Sequence, residues 1–283
     1  MPHSEALQEI VAVFGQPVAG NPTQYVMEKA FARAGMDWRY LTIEVTPADL
    51  GDAIRGMRAM SFRGCNLTIP HKVEVIQHLD RTSEAAALMG AVNCVNRQGN
   101  ELVGENTDGK GFLQSLSELV DPRGKRIVLL GAGGAARAIA VELGLAGAGH
   151  ITVVNRTAER ARPLVGLLAG KVGVVTEFAP WAGNYEVPAG TDIVINATSI
   201  GLGDEDARVP LAFGTLMSTM VVADVVFNPP QTAFLCAARE RGCRTLDGLG
   251  MLVNQAVICF RIWAGIEPDR ELMREALEEF LGF

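Results

Sequence analysis

Short apolar runs alternate with amphipathic stretches along nearly the whole chain, and the spacing within each predicts its element. Val11-Ala12-Val13-Phe14 reads as a strand closed by Gly15-Gln16-Pro17. From Thr23 to Ala34, the residues Val26, Met27, Ala30, Phe31 and Ala34 recur at helical spacing, and Gly35 stops the pattern. Trp38 to Val45 alternates as a second strand, Pro47 to Met57 suits a helix, and Gly64 to Ile69 makes a third strand. Pro70 is expected to open another helix at its first position, where a missing N–H is harmless. A second series runs from Lys125 to Thr245, with candidate strands at 126–130, 150–154, 172–176, 192–196, 220–225 and 243–246. The tail from Leu249 to Phe283 is helical in pattern, with Pro268 starting its last helix. Strands alternating with helices imply largely parallel sheets with covered faces, hence an α/β fold.

Composition narrows the function classes. With 283 residues, 48% of them hydrophobic and 20% charged, the chain can bury the cores of two domains. A net charge of −7 argues against a nucleic-acid binder, and an anionic ligand must be caught by local positive groups. The five cysteines are odd in number and form no C-x-x-C pair, which suits reduced thiols. His71 and His78 are seven apart but have no carboxylate partner in the pattern, so no metal site is expected. Neither a signal peptide nor a membrane-spanning run is evident, and a cytoplasmic enzyme is the expectation.

One junction carries specific chemistry. The strand Arg126 to Leu130 stops at Gly131-Ala132-Gly133-Gly134-Ala135, and an alanine-rich helical stretch begins at once. Glycine lets the backbone approach a pyrophosphate, and the unpaired N–H groups of a first helical turn face the anion. The strand His150 to Val154 ends about twenty residues further on, where the adenosine ribose of a bound dinucleotide would lie. Asn155-Arg156-Thr157 follows it, with Arg160 behind and no carboxylate before Glu159. A site selective for NAD usually places a carboxylate there, whereas Arg156 and Arg160 can pair with a 2′-phosphate. NADP is the expected cofactor, with NAD as the alternative.

Three further polar clusters stand out. Asn66 and Thr68 share one face of their strand, and Lys72 follows just past the strand end. Asn106-Thr107-Asp108-Gly109 lies near the junction of the two series, and Gly248 to Gln255 opens the helical tail. A lysine held by an aspartate suits proton transfer. The alternative, that Lys72 and Asp108 are unrelated surface charges, stays open on the residues alone.

These strings resemble the shikimate dehydrogenase family from end to end. The likeness rests on Asn66-Leu67-Thr68-Ile69-Pro70-His71-Lys72, Gly90-Ala91-Val92-Asn93, Asn106-Thr107-Asp108-Gly109, Asn196-Ala197-Thr198-Ser199-Ile200-Gly201 and Asp247 to Gln255, in order around the glycine turn. The resemblance implies a substrate domain over 1–108, a Rossmann-type NADP domain over 109–247, and C-terminal helices over 248–283 returning to the substrate domain. It implies that Lys72 and Asp108 form the catalytic dyad and that Asn66, Thr68, Asn93 and Gln255 contact the substrate. It adds Thr198, Ser199, Val225, Gly248 and Met251 to the cofactor side. The implied activity interconverts shikimate, or a related ring hydroxy acid, and its 3-dehydro ketone, in the pathway to chorismate and aromatic amino acids. The protein is expected to act as a monomer or homodimer.

One motif departs from the family. Its substrate-carboxylate loop normally reads Gly-x-Pro-(Ile/Val)-x-His-Ser-x-Ser-Pro, and here Gly20, Asn21, Thr23 and Gln24 stand for His, Ser, Ser and Pro. Asn21 and Thr23 can still donate to a carboxylate, with altered geometry. Phe227 stands where the family commonly has Tyr. A quinate or aminoshikimate dehydrogenase is therefore the alternative activity, and a non-catalytic nucleotide-binding homologue the alternative class.

Overall fold

The computed structural model describes residues 7–283. The chain divides into two compact units, one running up to Thr107 and taking in Ala256–Phe283, the other Asp108–Gln255.

The first unit is built on β1 (Glu9–Gly15), α1 (Thr23–Arg33), β2 (Trp38–Glu44), α2 (Leu50–Ala59), β3 (Gly64–Leu67), β4 (Arg81–Thr82), α3 (Glu84–Met89), β5 (Cys94–Gln98) and β6 (Glu101–Glu105). Its sheet has the order β2-β1-β3-β5-β6-β4. β1 is parallel to both β2 and β3, and β5 runs antiparallel between β3 and β6. The carboxyl ends of β1, β2, β3 and β6 therefore share an edge with the start of β5. Val11 to Phe14 are buried throughout, as an unbroken apolar run in a covered strand requires. Phe14, Leu50, Ile54, Met57, Leu67 and Val95 meet in the core on one side. α1 buries Val26, Met27, Ala30 and Phe31, the positions its spacing marked.

No helix begins at Pro70. His71 N donates back to Thr68 O at 2.9 Å, closing a tight turn, and a short 3-10 turn follows at Glu74–His78. His71 is also buried, with Nε2 donating to Val45 O at 2.7 Å. That bond draws the chain down onto the segment after β2, where a helix axis would have carried it outward.

The second unit contains α4 (Thr107–Ser117, whose first residue falls in the first unit), β7 (Arg126–Leu130), α5 (Gly134–Leu145), β8 (His150–Asn155), α6 (Ala158–Leu167), β9 (Val175–Pro180), β10 (Ile193–Asn196), β11 (Val221–Asp224), α7 (Ala233–Glu240) and β12 (Arg244–Leu246). Every pairing in its sheet is parallel, in the order β12-β11-β10-β7-β8-β9. This is the doubly wound order in which the chain reverses direction across the sheet at β7 and β10. The strand expected at 172–176 begins later, at Val175. Leu168–Val172 instead prolongs α6 as a wide turn, and Gly173 ends it at φ 80°. The apolar run was continuous across that glycine, so its spacing hid the break.

α8 (Leu249–Ala264) and α9 (Arg270–Leu281) complete the chain, with Asp269 capping α9 just after Pro268. Within the first unit α9 packs on α1, where Lys29 pairs with Glu279 and Tyr25 lies 5.8 Å from Phe280. Cys65, Cys94, Cys243 and Cys259 are buried thiols, and Cys236 is exposed on α7. Among the described residues no helix is long and apolar enough to cross a membrane, and no cluster could hold a metal ion.

Candidate active site

In the first unit the polar residues gather where β1, β3 and β6 end and β5 begins. Gln16 N donates to Ile69 O at 2.9 Å and Thr68 N to Phe14 O at 3.0 Å, which zips the loop after β1 to the loop after β3. Gly15 permits this approach, since a Cβ there would stand 2.3 Å from Thr68 Cγ2. Val92 N donates to Lys72 O at 2.7 Å and sets half-buried Lys72 beside Asn93. Asn93 Oδ1 accepts from Thr107 N at 2.7 Å and its Nδ2 donates to Thr107 Oγ1 at 3.0 Å. That pair fixes the backbone immediately before Asp108, which is half-buried in the first turn of α4.

Asn66 sits one layer deeper, 6% exposed. Its Oδ1 accepts from Tyr40 Oη at 2.7 Å, and its Nδ2 donates to Asn93 O at 3.0 Å and to Cys259 Sγ at 3.2 Å. Cys259 Sγ shares a further hydrogen bond with Thr107 Oγ1 at 3.3 Å. Burial holds the Tyr40 hydroxyl well above its ordinary range, so it remains a neutral donor. The amide of Asn66 is thus directed at Tyr40, Cys259 and the Asn93 backbone, and what it braces is Asn93.

The departing loop has its own arrangement. Asn21 Oδ1 accepts from Thr23 N at 2.9 Å, which commits the amide oxygen to the start of α1. Thr42 Oγ1 donates to Gln24 Oε1 at 2.7 Å and pins that residue to β2. Gly20, Asn21 and Gln24 line a cavity of about 660 Å3, together with Tyr25, Thr42 and Phe280.

In the second unit all strands point the same way, so the loops after β7, β8, β10, β11 and β12 meet at one edge. Gly131 turns at φ 109°, and a Cβ on it would stand 2.9 Å from Ala197 O. Gly133 and Gly134 face open space, with nothing near a would-be Cβ. α5 starts there at Gly134, and no side chain caps its N-terminus. Its first N–H groups therefore point into an open cradle that suits an anion. Arg156, Thr157 and Arg160 are exposed at the end of β8, and Asn155 Nδ2 donates to Thr157 O at 2.8 Å. Thr198 and Ser199 follow β10, and half-buried Val225 follows β11. Gly248 lets α8 begin against that loop, since a Cβ would meet the carbonyls of Val225 and Val226 at 2.5 Å. Half-buried Met251 and Gln255 lie one turn apart on α8. Apart from Gln255, these residues fit a dinucleotide, with two guanidinium groups available for a 2′-phosphate.

Three family models match the chain. Residues 13–95 match the shikimate dehydrogenase substrate binding domain, 114–201 match shikimate / quinate 5-dehydrogenase, and 248–278 match the shikimate 5′-dehydrogenase C-terminal domain. A shikimate dehydrogenase (NADP+) of Moorella thermoacetica is 43% identical over 277 residues, covering 96% of this chain and 94% of that protein. The chain belongs to the shikimate dehydrogenase family. Among solved structures of the family, shikimate 5-dehydrogenase from Thermus thermophilus, in complex with NADP(H) and shikimate, is 33% identical with a TM-score of 0.84, covering 96% of this chain and 100% of that one. The 5-ketofructose reductase of Gluconobacter sp. strain CHM43, in a ligand-free form, is 51% identical with a TM-score of 0.95, covering 97% and 99%.

Some supports of both edges lie outside the shikimate dehydrogenase motifs. Tyr40 and Cys259 hold Asn66 from positions 26 and 193 residues away. No local pattern signals such partners. Asp224 and Thr232, beneath the loops of the second unit, were likewise unmarked, although Asp224 is an acidic residue closing an otherwise apolar strand.

Proposed function

We propose that this chain is an NADP-dependent oxidoreductase that interconverts shikimate, or a closely related ring alcohol, and its 3-dehydro ketone. The observation carrying the reading is the pairing of two built edges in one family chain. One gathers Thr68, Lys72 and Asn93, and the other offers an uncapped helix N-terminus, open glycines and two exposed arginines. Bound NADP would accept or supply the hydride. Lys72 takes the hydroxyl proton on oxidation and returns it on reduction, while Asp108 holds the ammonium in place. Thr68, Asn93 and Gln255, with Asn21 and Thr23, orient the ring substituents. Gly131 to Ala135 cradle the pyrophosphate, and Asn155, Arg156, Thr157 and Arg160 hold the adenosine end. Thr198, Ser199, Val225, Gly248 and Met251 border the nicotinamide end. A cytoplasmic monomer or homodimer fits this chemistry and the free thiols.

A second reading has its own support. The loop with Gly20, Asn21 and Thr23 lacks the paired serine hydroxyls that suit a carboxylate, and Asn21 has turned its oxygen to the helix. The identity to the 5-ketofructose reductase, 51%, also exceeds the 43% to the Moorella enzyme. A neutral polyhydroxy ketone is the substrate this favours. The test is a panel of shikimate, quinate, aminoshikimate and 5-ketofructose with NADP(H) and NAD(H), followed by nicotinamide absorbance. Shikimate leading the panel supports the first reading, and 5-ketofructose leading it supports the second. Turnover of none of them rejects both. Asn21→Ser with Thr23→Ser should improve shikimate turnover about threefold to tenfold per restored hydrogen bond.

A further inference from the structure

One ionisable side chain beneath the loops of the second unit has no part in the chemistry above. Asp224 ends β11 and is 0% exposed. Its Oδ1 accepts from Asn196 Nδ2 at 2.9 Å and from Val226 N at 3.0 Å, and its Oδ2 accepts from Thr232 Oγ1 at 2.7 Å. Each donor belongs to a different segment. Asn196 ends β10, Val226 lies in the loop after β11, and Thr232 caps α7 by accepting from Leu235 N. Asn196 passes the constraint on, because its Oδ1 accepts from Thr198 N at 3.2 Å and from Thr198 Oγ1 at 2.7 Å. Thr198 Oγ1 in turn accepts from Ile200 N at 3.2 Å.

A buried carboxylate without a counter-ion is costly, so its presence asks for a reason. The groups presented to it by β10, the loop after β11 and the first turn of α7 are all neutral. Burial raises its pKa to about 6, while the Val226, Thr232 and Asn196 donors act in the opposite direction. What a carboxylate offers here, and an amide cannot, is acceptance on both oxygens at once. In a doubly wound sheet the two mononucleotide halves lie on either side of the reversal point. With the glycine turn after β7 and the arginines after β8, the loops after β10 and β11 fall to the nicotinamide half.

We propose that Asp224 is a positioning residue for the dinucleotide, clamping the Thr198 turn and the Val225-Val226 backbone into the arrangement that receives the nicotinamide half. The proposal rests on the NADP reading given above. Its test is NADPH affinity, read from nicotinamide fluorescence, for wild type, Asp224→Asn and Thr232→Val, alongside thermal unfolding of each. Losing one or two arms of the clamp should weaken NADPH about tenfold in Asp224→Asn and about threefold in Thr232→Val. The ratio of wild-type to Asp224→Asn affinity should fall towards unity between about pH 8 and about pH 5, as Asp224 takes up its proton. Taking that ratio cancels the titration of the cofactor's own 2′-phosphate, whose second pKa is about 6. Lowered melting temperatures with wild-type NADPH affinity, or a ratio independent of pH, would overturn the proposal. If Asp224→Asn does not fold, Thr232→Val keeps the carboxylate and still decides the matter. Wild type failing to bind NADPH would reject the cofactor reading itself, and is distinguishable because it needs no variant.

Discussion

The two strand edges are built from different materials. The edge of the first unit is crowded with amides, hydroxyls and a thiol that satisfy one another, as in the chain from Tyr40 through Asn66 to Cys259, Thr107 and Asn93. The edge of the second unit is largely backbone, with Gly133 and Gly134 open and the first N–H groups of α5 uncapped. A site made of side chains changes its preference when one residue changes, and in the proposed reading the loop at Gly20, Asn21 and Thr23 would be such a change. A site made of backbone is set by conformation, and only residues that control conformation matter there. The first kind suits a varying substrate, and the second suits a fixed cofactor.

The comparison breaks first at Lys72. Lys72→Ala should lower kcat by roughly 10²–10⁴-fold, the usual contribution of general acid–base catalysis, with NADPH affinity unchanged. Full turnover by this variant on the best substrate would remove the proposed dyad. The next largest effect is one of pH. Burial raises Asp224 from 3.8 to about 6, so the folded state binds its proton more tightly than the unfolded chain does. Stability present below about pH 4 is therefore lost as pH rises through about 6, by about 3 kcal/mol in all, and changes no further once Asp224 is fully ionised. Asp80 slopes the other way, held low first by the Leu102 N–H and then by Arg58. Denaturant titration of wild type against Asp224→Asn isolates the buried group, and parallel curves would refute the sign.

Smaller effects sharpen the contrast between conformation and contact. Gly131→Ala must hold a side chain at φ 109° against Ala197 O, and should cost about 1–3 kcal/mol of stability. Gly133→Ala meets open space at an ordinary φ, so it should leave the melting temperature alone while weakening NADPH. Equal losses of stability in the two variants would erase the distinction. Tyr40→Phe strips Asn66 Oδ1 of a buried donor and should destabilise by about 1–2 kcal/mol in thermal unfolding.

What could be read in advance follows from the range of the interactions. Helix α1 was legible from the helical spacing of its apolar residues, and strands β7 and β8 from short runs that are buried without a break. The turn after Pro70 was not, since a proline after a strand suits a helix start as well as a turn. What decides there is His71 reaching Val45, 26 residues away. β9 was displaced because Gly173 interrupts a run whose hydrophobicity continues on both sides. The glycine turn and the arginines behind it could be singled out in advance, because each is written in contiguous residues. The supports of Asn66 and of Asn196 were not, because they join segments far apart in the chain.

The thiols have a practical corollary. Burial pushes Cys65, Cys94 and Cys243 above the ordinary thiol range, and Cys259 is fully enclosed. Reagents that attack thiolates accordingly have one address, Cys236, in the opening turn of α7. A dye coupled there would sit four positions beyond Thr232, one helical turn from the side chain that donates to Asp224.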